Sequence, residues 1–514
     1  MFLKRKKEVI FIEVGGYIPK LRGFQEIVSR KPTFYDILNF LAEKGKTSSG
    51  VFLNVFPSNL TLSEIWEIKR VIKILRERGV KVVCKLQSCG IEEVFLSEIC
   101  DKVFTREDSI FFLNGFSVSL SSFGEFFSKI GVKLEAIKSG KMKSIPELLT
   151  KSEVPESIKK DMKRFFGEIK QALISETKKF DGNIFFSGIK RAKELITSEV
   201  IDVITSDSEE EIIRREFGSD AEVEYFQKKR FLAPFISGTK SKLAVVNMNG
   251  VIADNPYPNF INPSYFSSLL TRLAESKSVS AVLVRIDSRG GDAEGSHILN
   301  EKIDYIGKRK KVFVSFSSVG ASGGYLAAVS AKKIFATPFS AIGSIGVFLI
   351  KPFISELLQK IGIKTEVLEE GEMSSILSPY KKLGEKEKKV LEKIVKDEHE
   401  SFIKKVSEGR GIPVGALRKI ADGSVFSGMK AKELGLVDDI KSFSEVLDEL
   451  KEGKDLSVEE YPRISIYDVF FRNIIPSFSY DLDLIFAKDI AFEILRGRRR
   501  FFHLAFFPVQ LEKL

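Results

Sequence analysis

The chain has 514 residues, enough for about three domains at roughly 150 residues each, and 43% of them are hydrophobic and 29% charged. That balance builds a sizeable core and excludes disorder or a collagen-like repeat over most of the length. Lys and Arg number 81 against 70 Asp and Glu, a net charge of +11 that is mild for this size and demands neither nucleic acid nor an anionic surface as partner.

Taken in chain order, the first seven residues, MFLKRKK, have the basic character of an export signal, but the apolar run behind them, Val9 to Ile12, is closed at once by Glu13. An export signal needs about 7–15 apolar residues and a spanning helix about 20. The expectation is therefore a cytoplasmic or peripherally membrane-associated chain with neither signal nor transmembrane segment. Gly50 to Phe56, GVFLNVF, reads as a buried strand. Cys84, Cys89 and Cys100 cluster without a CxxC spacing and read as buried thiols in a reducing compartment. The only histidines, His297, His399 and His503, share no metal-ligand spacing, so neither a metal nor another cofactor is expected.

The next stretch exposes a duplication. IGVKLEAIKSGKMKS, from Ile130, lies over IGIKTEVLEEGEMSS, from Ile361, at an offset of 231 with seven of fifteen positions identical. GVFLNVF lies over AVLVRID from Ala281 at the same offset, and DKVF from Asp101 over KKIF from Lys332. FSGIKRAKEL from Phe186 has its match in FSGMKAKEL from Phe426. The chain reads as one unit over 1–215, a linker over 216–241, a second unit over 242–450 and a divergent tail over 451–514. Within the second unit, Ala281–Asp287 and Lys311–Phe316 are strand-like, and His297–Ile306 and Ser322–Ala331 are helix-like. This alternation predicts α/β architecture with parallel strands and crossover helices. Ligands of such sheets gather at the carboxyl ends of the strands, where both glycine-rich turns fall.

Gly320-Ala321-Ser322-Gly323-Gly324-Tyr325 sets a serine at a strand-to-helix turn among residues without bulk. Such a turn exposes a nucleophile beside backbone N–H groups able to receive an oxyanion, and it equally lets a helix pack closely on a sheet. In Asp287-Ser288-Arg289-Gly290-Gly291-Asp292 the Gly291 N–H is a candidate second oxyanion donor. A tight turn needing positive φ, or a phosphate site, accounts for the same glycines. The repeat supplies a candidate base: Lys143 in the first copy stands opposite Ser374, while Ser322 in the second stands opposite Glu92. Each copy holds half of a Ser/Lys pair, although Lys143 is also one of 81 basic residues, most of which are solvated.

Together these features resemble the long, duplicated form of the signal peptide peptidases of the protease IV family, from about residue 8 to 450. VVNMNGVI (from Val245), LVRIDSRGGD, VGASGGYLAA, FATPFSAIGSIGV and IADGSVFSGMKAKELGLVD carry the resemblance in the second copy, and SGKMKSIPE carries it in the first. It implies two tandem Clp/crotonase-like units of the ββα superhelix type, a homo-oligomer, and hydrophobic, signal-peptide-like peptides as substrates, without nucleic acid. It further implies Ser322 as nucleophile, Lys143 as base, Ser344 as a hydrogen-bond partner of the lysine, and Gly323 with Gly291 as the oxyanion hole. Neutral Lys143 would take the serine proton, which near pH 7 requires an amine buried out of its reference range of about 10.4. One departure is Arg289, where the family commonly has Pro before the Gly-Gly turn, which leaves substrate preference open.

The tail from Arg496, RGRRRFFHLAFFPVQLEKL, combines four Arg with four Phe in twelve residues. It suits peripheral contact with a membrane surface, or a helix packed on the body or on another subunit. Two rival functions are a catalytically inactive scaffold that binds membrane or peptides, and a crotonase-type acyl-CoA enzyme, which also builds an oxyanion hole from backbone N–H groups.

Overall fold

A computed structural model describes residues 8–20, 32–226, 241–255, 260–462 and the strand 502–504. The first unit contributes β1 (Glu8–Gly16), β2 (Gly50–Ser58), β3 (Lys81–Leu86), β4 (Lys102–Thr105), β5 (Ile110–Leu113), β6 (Lys133–Ser139), β7 (Gly188–Arg191), β8 (Val203–Ile204) and β9 (Glu222–Tyr225). Six of them form a parallel sheet in the order β8-β4-β3-β2-β1-β9. Helices α1 (Phe34–Lys44), α2 (Leu62–Glu77) and α3 (Ile91–Ser97) fill the crossovers. Thr33 with Asp36, and Thr61 with Glu64, close capping boxes that start α1 and α2 at fixed residues.

The second unit repeats the plan. It holds β10 (Lys242–Asn249), β11 (Val251–Ile252), β12 (Phe260–Ile261), β13 (Val279–Ser288), β14 (Gly290–Asp292), β15 (Lys311–Ala321), β16 (Lys333–Ala336), β17 (Ala341–Gly343), β18 (Val347–Phe353), β19 (Val425–Phe426), β20 (Asp439–Ile440) and β21 (Ser457–Tyr461). Its main sheet runs β19-β17-β15-β13-β10-β21, with β16 joining β15 to β20. The pairing of β1 with β9 recurs as β10 with β21, so each unit closes its sheet with a strand from just beyond the repeated stretch. β9 lies inside the segment read as linker, held by four backbone pairs to β1. The fold is α/β with parallel sheets, as the Clp/crotonase-like expectation required.

Both faces of the second sheet are buried, which explains strands that read as continuous apolar runs. On β10 and β13, Leu243, Val245, Ala281 and Leu283 face the first unit and share its core with Ile65, Trp66 and Ile68. Ala244, Val246, Val282 and Val284 face the unit's own helices. The period of two along the strand thus turns alternate residues toward the partner unit. Arg285 belongs to the first set and lies wholly buried, its guanidinium meeting both oxygens of Glu67 on α2 at 2.8 Å. Ser315 Oγ, the Phe316 carbonyl and Tyr35 Oη take its other N–H groups, and Phe443 N donates to Glu67, so every charged atom is met.

A third sheet joins the units, in the order β12-β11-β14-β22-β18-β6, where β22 is Phe502–Leu504. β6 leaves the first unit to pair antiparallel with β18 over seven residues, from Ser139 opposite Val347 to Lys133 opposite Phe353. β22 runs antiparallel between β14 and β18, setting His503 opposite Gly291 and Phe502 opposite Phe348. Apart from that strand, the basic and aromatic tail lies outside the described residues. Among the described residues no helix is long and apolar enough to cross a membrane. The three cysteines are buried free thiols.

Candidate active site

Ser322 stands between the end of β15 and α4 (Gly323–Ala328), at φ 53° and ψ −123°. A non-glycine residue in that region is strained by about 1–3 kcal/mol. The turn is held by the Ser322 N–H, which donates to the Gly343 carbonyl at 2.7 Å. Glycine is obligatory beside it. A Cβ on Gly323 would stand 2.3 Å from Ser296 Oγ and 3.3 Å from Gly291 N, so the two backbones approach closely. Gly291, at φ 153°, leaves only 2.0 Å between such an atom and the Ile252 carbonyl oxygen. The first-turn N–H groups of α4 have no intrahelical acceptor. Gly323 and Gly291 therefore line one end of the serine turn with backbone.

Lys143 reaches this turn from the other unit. β6 delivers the chain along β18, and the loop from Gly140 then folds back onto Ala421–Ser424. Met142 N donates to the Asp422 carbonyl at 2.6 Å, and Ser344 N to the Ser424 carbonyl at 2.7 Å. Ser344 shares the strained positive φ, at 52°. The result is a closed cluster in which Lys143 Nζ lies 2.7 Å from Ser322 Oγ, 2.9 Å from the Ser344 carbonyl and 3.0 Å from Ser344 Oγ. Lys143 is 2% exposed and Ser322 is fully buried. Burial pushes the Lys143 amine well below its ordinary range, because its partners are neutral oxygens and no carboxylate compensates the lost water. A neutral amine has two N–H donors and one lone pair, which match the two Ser344 oxygens and the Ser322 hydroxyl in number.

All five residues singled out from sequence, Ser322, Lys143, Ser344, Gly323 and Gly291, thus meet within one chain. Arg289 lies half-buried where β13 passes into β14. The corresponding turn of the first unit is built differently. Glu92 is buried there, and the Glu93 carboxylate accepts from Ser58 N at 2.9 Å and Gly90 N at 3.0 Å. A carboxyl side chain thus fills the turn where the second unit carries Ser322 and its glycines. Sequence reasoning missed Ser139 and His399, which adjoin the lysine loop, and gave Ala421–Ser424 no role beyond a motif. The ADGS segment within the quoted motif was the available signal for the last of these.

Comparison with known proteins is consistent along the chain. The description Peptidase family S49 matches residues 306–457. A chloroplastic serine protease SPPA of Arabidopsis thaliana is 26% identical over 422 residues, which cover 78% of this chain and 62% of that protein. An SppA-named protein of Enterococcus faecium is 34% identical over 236 residues, 43% of this chain and 67% of its own. Protease 4 of Haemophilus influenzae is 24% identical over 468 residues, 85% of this chain and 76% of its own.

Proposed function

The chain belongs to Peptidase family S49, the serine peptidases of the protease IV type, and from that premise we propose that Ser322 and Lys143 are its catalytic dyad and that cleaved signal peptides or other hydrophobic peptides are its substrates at the membrane. One observation carries the reading: a lysine amine stripped of water lies 2.7 Å from a serine hydroxyl on a strained strand-to-helix turn.

Chemistry follows from these contacts. Lys143 takes the Ser322 proton through its lone pair while its N–H groups stay on Ser344. The Ser322 oxygen attacks the peptide carbonyl, and the Gly291 and Gly323 N–H groups receive the oxyanion. Protonated Lys143 then returns its proton to the leaving amine, and water activated by the same amine hydrolyses the acyl-enzyme. Ser344 acts as the orienting partner that keeps the amine on the serine. The position of β22 supports a substrate bound as an extended strand between β14 and β18, the mode in which main-chain bonds supply affinity. Apolar Ile145, Phe348, Val251 and Ile350 cluster beside those strands and favour hydrophobic peptides. The fold and family also support assembly as a homo-oligomer.

The two rival functions have less behind them. An acyl-CoA enzyme has no use for a serine and lysine in direct contact, and an inactive scaffold has no reason to desolvate the lysine. Hydrolysis of a panel of fluorogenic peptides, with labelling by a serine-directed phosphonate, tests the proposal. Cleavage and labelling by wild type, both lost in Ser322→Ala, is the expected result; equal cleavage by Ser322→Ala overturns it.

A further inference from the structure

We propose that His399 is the positioning residue of the general base, its imidazole pinning together the three loops that hold Lys143 on Ser322. The proposal rests on Lys143 as base and adds a residue that touches neither the serine nor the peptide. His399 projects from α5 (Glu385–Arg410), the long helix behind β6, and is 7% exposed. Its Nδ1 lies 2.6 Å from the hydroxyl of Ser139, the last residue of β6 and the start of the loop to Lys143. Ala421 lines the same cavity as Ser139 and the ring, polar backbone groups of Ala421 and Ile345 act on the imidazole, and Nε2 closes no hydrogen bond of its own. Ala421 opens the loop that binds Met142 N and Ser344 N, and Ile345 directly follows Ser344. One imidazole therefore adjoins all three segments that hold Nζ.

The packing leaves these segments no slack. A Cβ on Gly346 would fall 2.9 Å from the Ser139 carbonyl oxygen, and one on Gly423 would fall 2.7 Å from Lys143 N. A shift of Ser139 is transmitted to the amine rather than absorbed. The charged groups around the ring are Lys143 across the loop, Lys138 on β6, Glu392, Lys396 and Glu400 on its own helix, and Arg418. Arg418 is engaged by Glu400, and Lys138 by Glu147. Burial and the nearby Lys143 both push His399 below its ordinary range, so the ring stays neutral and adds no second cation beside the base.

The test compares His399→Leu, Ser139→Ala and His399→Asn with wild type and Lys143→Met, reading kcat, KM and the pH dependence of kcat on a fluorogenic peptide. A misplaced base costs about tenfold to a hundredfold, so His399→Leu and Ser139→Ala are expected to lower kcat by that factor with KM within about twofold. Their acid limb, which reports Lys143, is expected to move to higher pH as the loosened amine regains water. His399→Asn keeps a polar group toward Ser139 and is expected to recover most of kcat. Unchanged kcat and acid limb in Ser139→Ala and in folded His399→Leu overturn the proposal. So does a loss that tracks only the folded fraction, with the acid limb unmoved. Lys143→Met separates the two claims: its inactivity with normal His399→Leu removes the positioning role alone, whereas its full activity removes the dyad.

Discussion

Residues 130–144 and 361–375 are two copies of one sequence with opposite fates. Ile137, on β6, is 7% exposed, and its counterpart 231 positions later, Leu368, is 91% exposed. Lys143 is buried against Ser322, and its counterpart Ser374 is exposed. Helices Gly124–Ile130 and Ser355–Lys360 precede both copies, so the divergence begins after them. The first copy then finds the edge of β18 and becomes strand; the second has no strand assigned over 361–375. A strand needs a partner edge, and a desolvated base needs neighbours that exclude water. One tertiary contact supplies both.

Five substitutions bear on that contrast, beginning with the largest expected effect. Lys143→Met is expected to lower kcat on fluorogenic peptides by about a thousandfold or more, the scale of losing general base catalysis. Adding Ser374→Lys to it is expected to restore nothing, because position 374 is exposed; recovery in the double variant would break the comparison. Arg285→Met, which strands Glu67 in the shared core, is expected to cost about 3–5 kcal/mol in urea unfolding. The first-copy counterpart of Arg285 is Asn54, so this clamp between units belongs to the second copy alone. Replacing both partners by apolar residues should return most of the loss.

Ile137→Ala, which opens a cavity beside Val347 and Leu349, should cost about 2–5 kcal/mol. Leu368→Ala, the same truncation in the other copy, should stay within about 0.5 kcal/mol. Equal values would show that burial does not separate the copies. A last effect is thermal. The folded state lowers the Lys143 pKa, so below about 10.4 the unfolded chain binds a proton that the folded chain refuses. Stability from this group therefore rises with pH between the lowered folded value and about 10.4. Lys143→Met should remove that slope and raise Tm at pH 7, read by scanning calorimetry across pH.

Much of this was legible beforehand, for identifiable reasons. The strand and helix alternation over 281–331 was visible because both faces of the second sheet are buried and the strands are unbroken apolar runs. β15 nevertheless extends to Ala321, past the expected end at Phe316. Ser317 to Gly320 look like loop, yet pairing to β13 resumes at Gly320 after a register shift. β9 was hidden in the linker because Glu222–Tyr225 has no strong pattern of its own and depends on β1. His399 stands in the sequence only as a histidine without metal-ligand spacing, since nothing local marks the three loops that converge on it.

Taken by itself, the sequence determined the duplication, the α/β class and the small-residue turns, because these follow from periodicity and from what a backbone tolerates within a few residues. It also marked Ser322 and Lys143 as the unmatched positions of the two copies. Only the tertiary structure decided that they lie 2.7 Å apart within one chain, that one copy of a repeated segment is strand and the other exposed, and that Arg285 and Glu67 clasp the units. Hydrogen-bond partners for a strand edge and the removal of water from an amine are properties of neighbours distant in the chain, and no local pattern encodes them.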